Sequence, residues 1–254
     1  MKNFRKILPK DENLIISLYK EKGIEKISKL LNYSRNKIRK LLINNNISIK
    51  THKEINKKYS VYENYFEIID SKDKAYFLGF LIADGNIFKN KIRISLQEED
   101  GYILEKFKDY IKYDGIVHTI LKGNNKKRQK CLVITSTKIS NDLINIGCIQ
   151  NKSHFTFFPN IPKEFYSHFI RGVFDGDGCI TTIKPKNRPS KTNTFSIIGN
   201  NLLIEKIQEI LMENCNLNKT SLYSPKNTSN NIVYLIYGGN KNCIKIKNYL
   251  YNDC

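Results

Sequence analysis

Two aspartates, Asp84 and Asp177, each end a short apolar motif with the same arrangement of glycines. The first motif reads Phe77-Leu-Gly-Phe-Leu-Ile-Ala-Asp84-Gly85, and the second reads Ile170-Arg-Gly-Val-Phe-Asp-Gly-Asp177-Gly178. The two acids are about 90 residues apart, which is the length of a small α+β unit and longer than one solenoid repeat. Two carboxylates that share one place repel each other unless a hard divalent cation lies between them. The doubled motif therefore predicts a metal centre made by Asp84 and Asp177.

The elements that must position these acids are two helices, and each carries a glycine in its apolar run. Glycine in a helix interior costs about 1 kcal/mol relative to alanine, so Gly79 and Gly172 indicate a place where two backbones approach closely. If the helices pack side by side, they end together and deliver both acids to one point. The terminal carbonyls of Ala83 and Gly176 are then additional candidate oxygen ligands for the metal.

The two motifs resemble the paired signatures of single-chain LAGLIDADG homing endonucleases, and the resemblance extends from about Lys74 to the end of the chain. In that family the last acid of each motif binds the catalytic metal, which implies Mg²⁺ or Mn²⁺ held by Asp84 and Asp177. The sixth motif position is often acidic as well. Asp175 keeps this feature and Ile82 does not, so the two halves are asymmetric.

The resemblance implies an α+β fold in which two pseudo-symmetric αββαββα half-domains form a DNA-binding saddle. The implied reaction is hydrolysis of phosphodiesters on both strands of double-stranded DNA, with metal ions as the source of activated water. Gln97 corresponds to the polar residue that positions solvent, and its counterpart in the other half is expected near Gly199. Lys138 and Lys241 follow the last strand of each half and are candidates to stabilise the charge of the transition state.

The chain divides into four predicted segments: a helix-turn-helix module at 1–50, a basic linker at 51–73, and half-domains at 74–158 and 159–254. In the first half-domain, hydrophobic alternation predicts a hairpin at 86–96 and strands at 115–121 and 129–136. In the second, it predicts strands at 179–184, 193–198, 220–224 and 231–237. Helical periodicity predicts the intervening helices.

The first segment has the pattern of three short helices, with a turn at Asn32-Tyr-Ser34 before the third. Ser34 is a favourable N-cap for a helix over 35–44, whose basic residues would face outward. The order resembles a helix-turn-helix, in which the last helix lies in the major groove. Arg35, Asn36 and Arg39 are its candidate DNA contacts.

A strong excess of positive charge favours a polyanionic partner. The 254 residues contain 43 Lys and Arg against 24 Asp and Glu, a formal net charge of +19. Basic residues interleaved with polar ones in strands favour nucleic acid over a membrane surface. Further candidate DNA contacts are the polar residues of the predicted strands and their turns: Lys91, Arg93, Ser95, Lys122, Arg128, Lys130, Lys184, Lys186, Arg188, Lys191, Asn193 and Ser196.

Other features exclude several protein classes and leave two alternatives open. No membrane span, signal peptide or C-x-x-C pair is present, so we expect an intracellular monomer with reduced cysteines and no zinc site. One alternative is a DNA-binding transcriptional regulator that uses the same fold without cutting. Another is an RNA-splicing maturase, which would bind structured RNA. An intein is disfavoured because the expected splice-junction residues are missing.

Overall fold

The computed structural model describes residues 6–49, 59–123, 127–148, 157–184, 190–225 and 231–252. The chain forms two compact units, Met1–Lys58 and Tyr59–Cys254. The first unit contains three helices: α1 (Pro9–Glu21), α2 (Ile24–Leu31) and α3 (Arg35–Asn44). They agree with the three helices expected from the periodicity.

A small apolar core holds the first unit together. Ile15, Ile27 and Ile38, one from each helix, have no exposed surface. The turn before α3 is fixed by Ser34, whose Oγ accepts a hydrogen bond from the main-chain nitrogen of Lys37 at 3.4 Å. Because these contacts are within the unit, its three helices are positioned by its own core.

The second unit begins with a half-domain built around a four-stranded antiparallel sheet in the order β1-β2-β4-β3. Its elements are α4 (Lys72–Ala83), β1 (Asn86–Phe88), β2 (Lys91–Gln97), a 3₁₀ turn (Glu98–Asp100), α5 (Gly101–Tyr110), β3 (His118–Lys122), β4 (Lys127–Thr135) and α6 (Thr137–Asn145). The predicted hairpin is present, and the third strand starts three residues later than expected from the sequence.

A second half-domain repeats this order with a three-stranded antiparallel sheet, β5-β6-β7, among the described residues. Its elements are a 3₁₀ turn (Lys163–Phe165), α7 (Tyr166–Asp177), β5 (Gly178–Ile183), β6 (Thr192–Asn200), α8 (Asn201–Cys215), β7 (Ile232–Gly238) and α9 (Asn240–Tyr251). The repetition confirms the α+β class and the doubled helix-and-sheet arrangement.

The strand predicted at 220–224 is wrong, because the described part of that segment makes only an isolated bridge between Tyr223 and Tyr234. Main-chain carbonyls in and next to this segment accept hydrogen bonds from side chains, whereas in a sheet they would accept them from a neighbouring strand. Gln208 donates to the carbonyl of Thr220 at 2.8 Å, and Tyr237 donates to the carbonyl of Asn218 at 3.2 Å. Tyr223 nevertheless lies beside β7, as β3 lies beside β4.

One hydrophobic core serves both half-domains, and it also includes residues that precede α4. Tyr65, Phe66 and Ile69 are at most 6% exposed and belong to this core. The predicted linker at 51–73 is therefore too long at its C-terminal end. Its part from 59 onward packs in the second unit because these aromatic and aliphatic side chains are buried, while 51–58 lies outside the described residues.

No helix in the described ranges is long and apolar enough to cross a membrane. The cysteines in the same ranges are free thiols, and all except Cys179 are buried. Burial raises the pKa of the Cys215 thiol to about 11, so this side chain remains an uncharged core residue at neutral pH.

Candidate active site

The site is organised by a contact between the backbones of α4 and α7. A Cβ added to Gly79 would lie 2.1 Å from the carbonyl oxygen of Phe169, and one added to Gly172 would lie 2.0 Å from that of Tyr76. Both distances are far below van der Waals contact. Only glycine allows the two helices to approach this closely, so the two glycines fix the separation of the helices.

Because the helices cross at these glycines, they end side by side. Asp84 follows the last residue of α4, and Asp177 is the last residue of α7. A Cβ on Gly176 would lie 2.4 Å from the Cβ of Ala83 and 3.3 Å from Oδ2 of Asp84. The structure thus places Asp84 next to the residue that precedes Asp177, and both acids are exposed.

The donor set at these helix ends fits a hard divalent cation that is completed by other ligands. The described residues contain no group of three or more His, Cys, Asp and Glu side chains arranged for metal binding. Mg²⁺ in enzymes is commonly held by one or two carboxylates, with water and substrate phosphates as the remaining ligands. Ala83 and Gly176 adjoin at the same place, so their main-chain oxygens stay candidate ligands.

The third acid of the motifs, Asp175, has protein partners for both carboxylate oxygens. Oδ2 accepts a hydrogen bond from the Tyr76 hydroxyl at 3.0 Å, and Oδ1 accepts one from Tyr251. The Arg171 guanidinium lies over the rings of Tyr76 and Tyr251, at 5.0 and 5.9 Å from their centroids. Burial, together with the charge of Asp175, raises the pKa of both phenols. Asp175 therefore ties α9 to α4 and α7.

This aromatic cluster was not found in the sequence. Tyr76 and Tyr251 lie far apart in the chain, and no spacing relates them to Asp175. The one signal in the sequence was Asp175 itself, an acid whose equivalent in the first motif is Ile82. No partner was predicted for it.

A cleft of about 840 Å³ runs from the helix ends to the first sheet, and Asp84 and Gln97 both line it. The structure thus brings the predicted solvent-positioning glutamine into the same cleft as one of the two acids. Gln129 lies beside Gln97 in the strand register, and its Oε1 is buried without a hydrogen-bond partner. Gln129 also lines the cleft and was missed because it was assigned only to a predicted strand.

The second half has no equivalent of this glutamine that is free to act. Asn86 and Cys179 are equivalent, because each lies two residues after the aspartate of its motif. Asn86 pairs with Arg93 and Cys179 pairs with Ser196, so Arg93 and Ser196 are equivalent as well. Gln97 then corresponds to Asn200, one residue beyond the predicted position. Asn200 is buried, and its Oδ1 caps α8 by accepting from the nitrogen of Leu202 at 3.0 Å. The glutamine side chain at this position is therefore a feature of the first half, and the second half has a helix cap in its place.

Neither predicted catalytic lysine is among the described residues that line the cleft. Lys138 forms ion pairs with Glu67 at 3.2 Å and Asp142 at 3.3 Å. Partial desolvation acts against it, but hydrogen bonds to these carboxylates raise the pKa of Lys138. Lys241 is exposed in the first turn of α9. The structure does not bring these lysines together with Asp84, because each begins a helix that follows its sheet.

The outer face of the first sheet is the face opposite its buried alternating residues Ile92, Ile94 and Leu96. Pairing and alternation place four of the predicted DNA contacts on it: Lys91, Arg93, Ser95 and Lys122. Lys127, which pairs with Lys122, shares this face and was not predicted. Four cationic side chains therefore belong to one face.

The other two predicted contacts of this sheet, Arg128 and Lys130, lie on its opposite face. Lys130 pairs with Leu96, and Arg128 is two residues before Lys130. Arg128 forms an ion pair with Glu98 at 3.2 Å, and Lys130 donates to Thr119 at 3.0 Å. Successive residues of a strand alternate between the two faces, so these two side chains do not share a surface with Lys91 and Arg93.

The second sheet gives a similar division of the predicted contacts. Ser196 lies on its outer face, but Asn193 lies on the opposite face, where Oδ1 accepts from Thr182 at 2.7 Å. Lys184 and Lys191 are exposed on either side of 185–189. Lys186 and Arg188 lie outside the described residues. In the first unit, Arg35, Asn36 and Arg39 are exposed on α3.

Residues 71–144 match the family model described as the LAGLIDADG-like domain, which confirms the predicted family resemblance over the first of the two motifs. Among curated proteins, the chain is 28% identical over 138 residues to the DNA-directed RNA polymerase subunit Rpo1C of Methanocaldococcus jannaschii. This match covers 53% of the chain and 16% of that relative, so the chain spans only a small part of the relative's length.

Solved structures similar to this chain include two meganucleases bound to DNA. Meganuclease I-SmaMI, bound to uncleaveable DNA, has 13% identity and a TM-score of 0.49, with 71% of this chain and 85% of that chain covered. LAGLIDADG meganuclease I-AabMI, bound to uncleaved DNA, has 14% identity and a TM-score of 0.47, with 70% and 82% covered.

Proposed function

We propose that this chain, whose residues 71–144 form a LAGLIDADG-like domain, is a site-specific endonuclease that hydrolyses both strands of double-stranded DNA. The observation that carries the proposal is the convergence of Asp84 and Asp177 at two helix ends, held together by Gly79 and Gly172. Two exposed carboxylates at adjoining helix ends are the kind of donor set that holds a hard divalent cation.

The proposed chemistry assigns separate tasks to the residues around the helix ends. Asp84 and Asp177 would hold Mg²⁺ or Mn²⁺, which when bound supplies activated water and neutralises charge on the phosphate. Gln97 lines the cleft beside Asp84 and would orient water by hydrogen bonding. Lys91 and Arg93 would bind the DNA backbone or guanine edges in the major groove.

The first unit would supply a second DNA contact. Its α3 exposes Arg35, Asn36 and Arg39, while Ile38 and Leu42 of the same helix are buried. This division leaves a polar helix face of the kind that enters the major groove in helix-turn-helix proteins. We assign this unit to lengthening the recognised site rather than to the hydrolytic chemistry.

The test begins with DNA that the protein itself selects. Duplexes with a randomised central segment are enriched for binding without metal, and the recovered sequences are placed in a plasmid. We expect linearisation with Mg²⁺ and none with EDTA. Asp84→Asn and Asp177→Asn should each abolish most double-strand cleavage and leave metal-free affinity equal or higher, because a negative charge near phosphate is removed.

Glu99→Gln is the matched control, since it removes one exposed carboxylate outside the pair of helix ends. This variant should cut as the wild type does. Tight selective binding without cutting, under Mg²⁺ or Mn²⁺, would instead identify the protein as a DNA-binding regulator. Full cutting by either aspartate variant would refute the shared centre.

A further inference from the structure

The outer faces of the two sheets differ in chemistry although their strands correspond. On the first sheet this face carries Lys91, Arg93, Lys122 and Lys127. On the second sheet the described strand residues of the outer face include no charged side chain. They are hydroxyl, thiol, amide, apolar and aromatic residues together with one glycine: Cys179, Thr181, Ile183, Thr192, Thr194, Ser196, Ile198, Asn200, Ile232, Tyr234, Ile236 and Gly238.

The difference is systematic when equivalent positions are compared. Asn86 pairs with Arg93, and the equivalent residue Cys179 pairs with Ser196, so serine replaces arginine. By the same register, Lys91 corresponds to Thr194 and Ser95 to Ile198. On the neighbouring strand, Val133 pairs with Arg93 and Ile236 pairs with Ser196. At these positions the second sheet thus exchanges two cations for hydroxyls and has larger apolar side chains, whereas the first sheet carries the exposed Phe88 where the second has Thr181.

Several of these apolar side chains are open to solvent. Ile183 is 50% exposed and Ile236 is 39% exposed, and both belong to a face that is otherwise lined by hydroxyls. Burying exposed aliphatic surface against a partner is favourable. A partner for this face should therefore present methyl groups among hydrogen-bonding groups.

The major groove of double-stranded DNA offers such a surface where thymine is present. Arginine and lysine read guanine, whereas apolar side chains and threonine methyls contact the C5-methyl of thymine, and serine or threonine hydroxyls can pair with any base edge. The first sheet has the residues for guanine. The second sheet, in its described strands, has the residues for thymine.

We propose that the half-site bound by the second sheet is thymine-rich and is read through thymine methyls by Ile198, Ile236 and Ile183. The half-site bound by the first sheet contains guanines read by Arg93 and Lys91. This inference rests on the proposed function for the assignment of the outer faces to DNA. It adds the class of sequence that each half recognises and the residues that recognise it.

The test uses the duplex selected without metal and two modified bases. Replacing thymine by uracil in the second half-site removes only the methyl, and each contacted methyl should cost about fourfold in Kd, equivalent to about 0.8 kcal/mol. The same replacement in the first half-site should weaken binding at no more than one position, next to the exposed Phe88. Replacing guanine by 7-deazaguanine removes the N7 acceptor and should weaken binding through the first half-site alone.

Two variants assign the half-sites to the sheets. Arg93→Gln should abolish the effect of 7-deazaguanine at one position. Ile236→Ser should abolish the penalty for uracil at one position in the other half-site, and its exposed location should leave thermal melting unchanged. Val133→Ser, the equivalent change on the first sheet, is the control and should leave every uracil penalty intact.

The outcomes separate this inference from the proposed endonuclease function. Selected DNA that is bound but never cut refutes the endonuclease and still allows the uracil comparison. Selected DNA that is cut normally, but whose two half-sites contain guanine equally or tolerate uracil everywhere, overturns the thymine inference alone.

Discussion

Replacing Gly172 by alanine tests the contact on which the site depends. The new Cβ would lie 2.0 Å from the carbonyl oxygen of Tyr76 and 2.8 Å from the nitrogen of Phe80. Both neighbours are backbone atoms of α4, so no side chain can rotate to make room. To restore an ordinary contact of 3.4 Å, the helices must separate by about 1.4 Å.

The size of the effect follows from two opposing terms. Overpacking of a well-packed interior costs about 1–3 kcal/mol, and a rigid backbone neighbour places this change at or above the upper end. Alanine regains about 1 kcal/mol of helix propensity. A net loss of about 2 kcal/mol in a unit of this size lowers the melting temperature by about 4–8 °C.

The same separation moves Asp177 away from Asp84. A displacement of about 1 Å at a catalytic centre can cost about 100-fold in rate, so cleavage should fall much more than stability. The assays are thermal melting and single-turnover cleavage of the selected duplex. Gly23→Ala is the control, because its Cβ would meet nothing within 4 Å and the residue lies outside the faces assigned to DNA. A Gly172→Ala protein that melts and cuts as the wild type does would refute the proposed role of the helix contact.

Three further predictions concern the aromatic cluster, the first unit and the charged face. Burial and a neighbouring carboxylate raise the pKa of Tyr76 and Tyr251. The contribution of these two phenols to the free energy of unfolding should therefore be fully present below about pH 10, where the phenols of the unfolded chain titrate, and should decrease above it. Urea titrations at several pH values should show that the free energy of unfolding decreases less above about pH 10 in the Tyr76→Phe, Tyr251→Phe double variant than in the wild type. An equal decrease in both proteins would contradict this reasoning. Deleting residues 1–58 should shorten the footprint on DNA and preserve metal-dependent cutting, whereas failure of the remainder to fold would show that the units are not independent. Lys127→Gln should reduce the slope of log Kd against log salt by about 1, and Arg128→Gln, on the other face, should leave it unchanged.

The sequence by itself determined the class of the fold and the two residues at its centre. The doubled motif is a local pattern, and the matching positions of Gly79 with Gly172 and of Asp84 with Asp177 are visible without a structure. Hydrophobic periodicity located most helices and strands because burial on one face repeats along the chain itself. The α+β class could be predicted for the same reason.

The tertiary structure decided which side chains share a surface. Arg128 and Lys130 lie on the face opposite to Arg93, and Asn193 lies on the face opposite to Ser196, because the face of a strand residue depends on register. The bonds from two tyrosines to Asp175 join three helices that are distant in sequence. No local pattern encodes such a contact, because it exists only once the helices have packed.

The asymmetry between the halves shows the same limit. The sequence shows one asymmetry between the two motifs, the acid Asp175 against Ile82. Only the paired registers showed that Arg93 is matched by Ser196 and that Gln97 is matched by Asn200, a buried helix cap. The sequence shows which residues belong to each sheet. The pairing of the strands decides which of their side chains are exposed to a partner and which make contacts inside the protein.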